Sequence, residues 1–388
     1  MKYINNSNQT IAAIVLMTNP KRSNYIFDII SLLSSNNIVP QTFYTLSLKH
    51  GVLPLIYHSL KELPNKNTKI KELLELFQPK YIQIAQKNIF MSAELIRIQK
   101  SFHSAKIKAL GFKGPLLAQF AYQDITLRQF NDLDILIEVD FFEDAVRILK
   151  QLGYKPSYDL NEKQLKHFLR TSHEYTMIHP NKHIVVELHW RLSSEDFLVS
   201  FDTVDLFKDM YSIDLNGYRF NSFQPEVLFV YLSVHGTKHY WERLEWLCDL
   251  AYMINTYEIQ WNRVIAIATQ TKSKKIILTT LYLLKLLYDI EIPKEIQTLF
   301  KKTKGIKTLS MRLEKDFLSQ FEDPKHTKKL SSIQLELIEE PQHKLDYLLA
   351  FFKPTQLDYL SINLPKGLHF LYYIIRPFNI LYRKLFKH

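Results

Sequence analysis

Apolar positions change their spacing twice along the 388 residues. From residue 1 to about 105 they recur at helical intervals: Tyr25-Ile-Phe-Asp-Ile-Ile-Ser-Leu-Leu33 and Phe43 to Leu60 predict helices, and Leu73 to about Ser104 predicts one long helix. Between 106 and 223 the period shortens to two. In Asp132-Leu-Asp-Ile-Leu-Ile137 two acids alternate with Leu133 and Ile135, the pattern of a half-buried strand. His173 to His179 and His183 to Arg191 flank Pro180-Asn181-Lys182 and predict a hairpin, with Glu187, His189 and Arg191 on one face and Ile184, Val186, Leu188 and Trp190 on the other. Asn216-Gly217 predicts a second hairpin. The helix between them should start at Asp140 as N-cap, with Glu143 three residues on, and stop at Gly153. From Pro225-Glu226 a helix is expected to continue to Ala251, with further helical runs at Ile276 to Leu287 and Leu345 to Phe352. The expected fold class is α+β: a core with a small mixed sheet and packed helices (106–223) between helical regions 1–105 and 224–388.

Composition narrows this picture. High aromatic content with 25 Phe and 22 Tyr, against only 8 Gly, fits a compact helix-rich chain. A single cysteine, Cys248, excludes an intramolecular disulfide framework. Ile11 to Met17 is a short apolar run without the basic region or cleavage site of a signal peptide, and no stretch reaches the roughly 18 apolar residues of a membrane span. A cytoplasmic protein is the default expectation. The formal charge of +11 suits RNA or another phosphate-rich partner, or reflects a lysine-rich composition, since the lysines are spread along the chain.

The chemistry concentrates in one stretch. Asp132 and Asp134 point to one side of their strand, roughly 6 to 7 Å apart, where they can share a divalent ion or hold two. Mg²⁺, or Mn²⁺, suits such a pair; a surface strand with two solvated acids has the same pattern. Upstream, Ile107 to Phe120 reads as strand, turn at Lys113-Gly114-Pro115 and helix start, with Pro115 in the first helical turn. Backbone N–H groups after Gly114 form a natural phosphate seat, to which Lys113 adds a point charge and Arg128 a planar fork.

Strand, phosphate-binding turn, helix and acid-bearing strand, in this order, resemble the nucleotidyltransferase superfamily of DNA polymerase beta. The segment Leu110 to Ile137 looks like bacterial nucleotidyltransferase-family proteins with a Lys-Gly turn, an Arg and an acid-h-acid strand, here Phe112-Lys113-Gly114, Arg128 and Asp132-Leu133-Asp134. The commoner superfamily signature has Gly-Ser at the turn. The resemblance implies metal-dependent transfer of a nucleoside monophosphate from a nucleoside triphosphate, ATP among them, to an acceptor: RNA, a protein or peptide, or a small molecule. Asp132 and Asp134 would hold Mg²⁺, and Lys113, Gly114 and Arg128 would neutralise the triphosphate. Glu187 would be the third carboxylate, completing the metal site or taking the acceptor proton, with His189 a structural neighbour or an assistant. Several such families place a Lys and an Asp on a helix after the sheet, roles that Lys238, Arg243 and Asp249 could fill.

His235 and His239, one helical turn apart, lack the third ligand of a zinc site and are expected to line the pocket, or to belong with Trp241 and Trp246 to a packing face. The tail Leu368 to His388 carries Arg376, Arg383, Lys384 and Lys387 without an acid; it suits an anionic membrane surface or an interface, or docking on its own core. Two other functions use similar parts: a metal-dependent glycosyltransferase, and a catalytically silent nucleotide- or RNA-binding module. On the nucleotidyltransferase reading, Asp132 and Asp134 are open-cleft acids whose removal abolishes transfer and spares the fold. Loss of Arg128 would weaken triphosphate affinity more than thermal stability.

Overall fold

The computed structural model describes residues 9–35, 37–64, 67–157, 160–193, 199–201, 205–322, 332–349, 352, 368 and 370–386. It is mixed α+β, with five strands in one sheet and helices packed around them. The first apolar run forms the helix Gln9–Met17, buried along nearly its whole length. Helices Ile26–Ser34, Pro40–Lys49 and Leu53–Glu62 follow. Phe43 to Leu60 is therefore not one helix. It breaks at Gly51, which takes φ +72° to reverse the chain. The long helix runs Thr68–Ser104, opened by Asn67, whose side chain accepts from the Ile70 N–H at 2.9 Å.

The main sheet has the order β1-β2-β5-β4-β3. Its strands are β1 (Ala109–Gly111), β2 (Asp132–Ile137), β3 (Lys155–Pro156), β4 (Glu174–His179) and β5 (Ile184–His189). β1 runs antiparallel to β2, and β4 antiparallel to β5. The contact that matters most is between β2 and β5, which pair in parallel with Asp134 beside Glu187. A parallel pair needs a crossover, here supplied by the helix Phe142–Gln151, β3, the helix Glu162–Thr171 and β4. Phe142, Ala145, Ile148 and Leu149 are the buried face of that first helix. Asp140 does not cap it: Asp140 lies in a short 3₁₀ turn, Val139–Phe141, and Phe141 stands at the cap without a side-chain bond. Gly153 does end it, at φ +94°.

β6 (Met210–Leu215) and β7 (Tyr218–Phe223) form a separate hairpin around Asn216 and Gly217, both at positive φ as a type I′ turn requires. Phe223 stacks on Phe112 at the end of β1, with ring centres 5.0 Å apart.

The expected helix from Pro225 to Ala251 is two helices, Pro225–Lys238 and Glu245–Thr256. Tyr240 and Trp241 take φ +55° and +52°, and the Trp241 N–H donates to the Gly236 carbonyl at 2.8 Å. The buried Trp241 ring folds back over Gly236, where only a missing side chain leaves room for it. Helical regions before and after the sheet interlock: Arg22 donates to the Tyr252 hydroxyl at 2.9 Å, and Thr18 and Tyr288 hydroxyls lie 3.2 Å apart. Among the described residues no helix is long and apolar enough to cross a membrane. The tail forms the helix Leu371–Phe386, with Tyr372 buried and Tyr373, Ile374 and Phe378 exposed; Lys387 lies outside the described residues.

A Cβ at Gly236 would lie 2.2 Å from Trp241 Cζ3. Gly236→Ala should therefore destabilise the protein by about 1–3 kcal/mol, outweighing alanine's better helix propensity. Urea unfolding would show it as a lower midpoint at unchanged slope, and a midpoint at or above wild type would mean that Trp241 does not need that space.

Candidate functional site

β2 and β5 bring the charged residues together because residues in register on neighbouring strands share a face. Glu187 stands next to Asp134, and His189, two residues further along β5, lies on the same side. The His189 Nε2 is 3.3 Å from Asp134 Oδ1 and 3.8 Å from Glu187 Oε2. Lys113, at the end of the turn leaving β1, donates from Nζ to Asp134 Oδ1 at 2.7 Å. Gly114 holds that turn at φ +54°, and a side chain there would press on the Asp132 carbonyl at 3.0 Å. Lys113 and Gly114 are thus seated directly on the strand that carries the acids.

Asp134 is not an open-cleft acid; its side chain is fully buried between Lys113 and His189. Burial by itself pushes its carboxyl up, but Lys113 and His189 overcome this and hold it well below the usual carboxylate range. Burial likewise lowers the His189 imidazole, and the adjacent Asp134 and Glu187 carboxylates reverse the sign and raise it to about 9. Asp132 lies nearer the surface, half-buried. Burial and the charge of Asp134 raise it to about 6, against the opposing pull of Lys113.

Asp134, Glu187 and His189 can each offer one ligand atom, all within 4.8 Å of one another. Asp134 Oδ2 is buried without a hydrogen-bond partner, and both ring nitrogens of His189 are buried in ion-pair contacts that lack hydrogen-bond geometry. Orphaned polar atoms facing two carboxylates fit a divalent cation, with oxygen donors suited to Mg²⁺ or Mn²⁺ and the imidazole to softer ions. Asp132 belongs to the same strand face but not to this close group.

A second shell of charge surrounds the cluster. Glu174 on β4 pairs in register with His189, and its Oε2 lies 3.6 Å from His189 Nδ1 and 3.3 Å from His173 Nε2. Neither Glu174 nor His173 was expected at the site. Counting outward from the Pro180-Asn181-Lys182 turn would pair Glu174 with Leu188; the turn is one residue longer, with His183 at φ +52°, and only that shift sets Glu174 opposite His189. Burial raises the Glu174 carboxyl, and burial next to Lys238 lowers His173 to about 3. Lys238, at the end of its helix, is half-buried and feels Glu174, Lys113 and Glu187.

Arg128 and Asp249 are placed otherwise than the sequence suggested. They close on each other: Arg128 Nε lies 2.9 and 3.2 Å from the two Asp249 oxygens, and Nη2 lies 3.1 Å from Oδ2. The Tyr122 hydroxyl donates to Asp249 at 2.8 Å. Both charges are buried, so this fork is already filled by a carboxylate and is not offered to phosphate. Arg243 turns to Glu245, at 3.0 Å.

Residues 36–289, which contain every residue of this site, match a family model described as an uncharacterised nucleotidyltransferase. No curated protein matches the chain. The solution structure of the antibiotic-resistance factor ANT(2'')-Ia is similar over 49% of this chain and 96% of its own, at 8% identity and a TM-score of 0.36. A crystal structure of ANT(2'')-Ia in complex with adenylyl-2''-tobramycin is similar over 48% and 98%, at 9% identity and a TM-score of 0.33. Neither likeness is close enough to transfer a residue's role.

Asp249→Ala would strand Arg128 as a buried unpaired charge, at about 3–5 kcal/mol. The melting temperature should fall sharply while triphosphate affinity of the folded fraction is kept; the reverse pattern would return both residues to the nucleotide. For Asp132 the sign follows from its raised value: the folded state holds the proton more tightly than the unfolded state, whose carboxyl is near 4, so this group's contribution falls as pH rises from about 4 through 6. Without divalent metal, Asp132→Asn should gain stability over wild type across that window and hold the gain above it. A difference that does not change with pH would show that Asp132 titrates normally.

Proposed function

The chain belongs to the uncharacterised nucleotidyltransferase family, and on that premise we propose that it transfers a nucleoside monophosphate from a nucleoside triphosphate to an acceptor hydroxyl on an RNA, a protein or a small molecule, the acceptor oxygen bonding to the α-phosphorus as pyrophosphate leaves. The observation that carries this reading is the register of β2 and β5, which sets Asp134 beside Glu187 with Lys113 bonded to Asp134. Asp132, Asp134 and Glu187 would hold Mg²⁺ or Mn²⁺, with His189 close enough to join once it has lost its proton. When bound, the cation supplies positive charge to the triphosphate oxygens and a template for in-line displacement.

The chain's own residues do the rest. Lys113, bonded to Asp134, and Lys238, within the field of Glu174 and Glu187, bring two ammonium groups to the carboxylates, where charge developing on a transferring phosphoryl group would be stabilised without solvent reorganisation. Gly114, at positive φ and without a side chain, lets the turn pack on the Asp132 carbonyl, and its backbone would face the triphosphate beside Lys113. His189, wedged between Asp134 and Glu187, keeps the two carboxylates oriented and offsets their repulsion. Glu187 remains half-exposed and is placed to accept the acceptor's proton while Asp134, locked in its ion pair, stays ionised. The buried Arg128–Asp249 pair is no phosphate ligand in this scheme; it anchors the loop that leads into β2.

The test uses each of the four α-labelled nucleoside triphosphates with Mg²⁺ or Mn²⁺, presented with total RNA, with lysate protein or alone. Asp132→Asn and Glu187→Gln serve as controls, because Asp134→Ala would leave Lys113 and His189 as uncompensated buried charges. Wild type should label one acceptor class, and each control should lose roughly 10²-fold or more in rate, with triphosphate binding only modestly reduced for Glu187→Gln. Equal labelling by wild type and controls would remove these carboxylates from the chemistry. Metal-independent triphosphate binding that never yields transfer would favour a silent binding module.

A further inference from the structure

The C-terminal turn of the helix Pro225–Lys238 faces the carboxylates: the charges of Lys113 and Asp134 both act on His235, and Lys238 feels Glu174 and Glu187. On this same side lies a cluster of rings that the chemistry above leaves unused. Lys113 Nζ is 5.8 Å from the centre of the buried Tyr231 ring, and Tyr231 stacks on His235 at 6.0 Å. His235 and His239 lie 4.7 Å apart, and Trp246, from the next helix, is 5.4 Å from each.

Three features separate this cluster from ordinary core packing. His235, His239 and Trp246 are partly buried and not sealed in the core, whereas Trp241 between them in sequence is fully buried. They meet one another at 56°, 82° and 46°, in tilted and edge contacts and not in parallel stacks, with Tyr231 against one face of His235. His235 is kept neutral, by the shielding of its ring first and then by the Lys113 charge, and a neutral imidazole beside an indole presents flat aromatic surface rather than a charge. The pair is no metal site: the third member is an indole, and Asp134, Glu187 and His189 are the one ligand group among the described residues.

We propose that His235, His239 and Trp246 form the nucleobase shelf of the donor nucleotide, stacking its base while Lys113 and Lys238 take the phosphates. The assignment rests on the nucleotidyl-transfer reading and deepens it. A nucleoside triphosphate is anionic at one end and a flat ring at the other, and this face of the protein carries the matching order, ammonium groups first and rings beside them. Stacking is tolerant of base identity, since each base has an aromatic face, so the shelf supplies affinity for a nucleotide over its bare phosphate chain.

Calorimetric titration with Mg²⁺ tests this by comparing a nucleoside triphosphate with inorganic tripolyphosphate. Wild type should bind the nucleotide more tightly. Trp246→Ala and His239→Ala should each weaken the nucleotide by roughly ten-fold and leave tripolyphosphate unchanged, while Trp246→Phe keeps the stack and most of the affinity. Equal weakening of both ligands, or of neither, overturns the shelf. If wild type itself binds the nucleotide no better than tripolyphosphate, the shelf fails while the phosphate site stands; if it binds neither, the nucleotidyl-transfer reading fails and the shelf with it.

Discussion

Asp134 is a carboxylate with no access to water, and nearly everything about the centre of this protein follows from what it takes to keep it there. An isolated ionised carboxylate in the interior costs far more than a domain's net stability, so it must be paired and hydrogen-bonded. The chain supplies two cations from opposite directions, Lys113 from the turn after β1 and His189 from β5. That requirement ties the turn, β2 and β5 into one unit. It also brings Lys113, Glu187 and His189 within reach of a single ligand.

The same physics operates at Arg128 and Asp249, with a different result. Here the pairing is bidentate, further satisfied by Tyr122, and closed. Asn88 on the long helix Thr68–Ser104 donates to the Arg128 and Ile125 carbonyls at 2.7 and 2.6 Å, fixing the backbone of the same loop. The loop that delivers Asp132 is thereby held between the long helix and the helix Glu245–Thr256. One buried pair is saturated and works as a fastener. The other retains an orphan oxygen on Asp134 and holds the His189 ring by charge without a closed hydrogen bond, which is the difference between a saturated ion pair and one with coordination to spare.

Much of this arrangement was legible from residue order. Strands β2 and β5, the Lys113-Gly114-Pro115 turn, the Asn216-Gly217 hairpin and the long helix all appear where the pattern predicted them, although β2 is buried on both faces from Leu133 onward and not half-buried. These are local features: a strand's period, a turn's φ and a helix's apolar spacing are set by neighbours a few residues apart. Errors came where side-chain packing in the folded chain overrode a local rule. The run Val227 to Ala251 reads as one helix, yet Trp241 folds back over Gly236 and divides it.

The sequence by itself determined which chemistry is available: acids two apart on a strand, a lysine at a glycine turn, a third acid on a later strand. Only the tertiary structure decided which charges meet. Arg128 and Asp249 are 121 residues apart, and nothing in their neighbourhoods says that they neutralise each other rather than a phosphate. Burial is a property of the whole packed chain and not of a segment. In a buried setting a charge's partner fixes its role, so Asp132, Asp134 and Arg128, close neighbours in sequence, end as a raised acid near the surface, a locked carboxylate and a fastener.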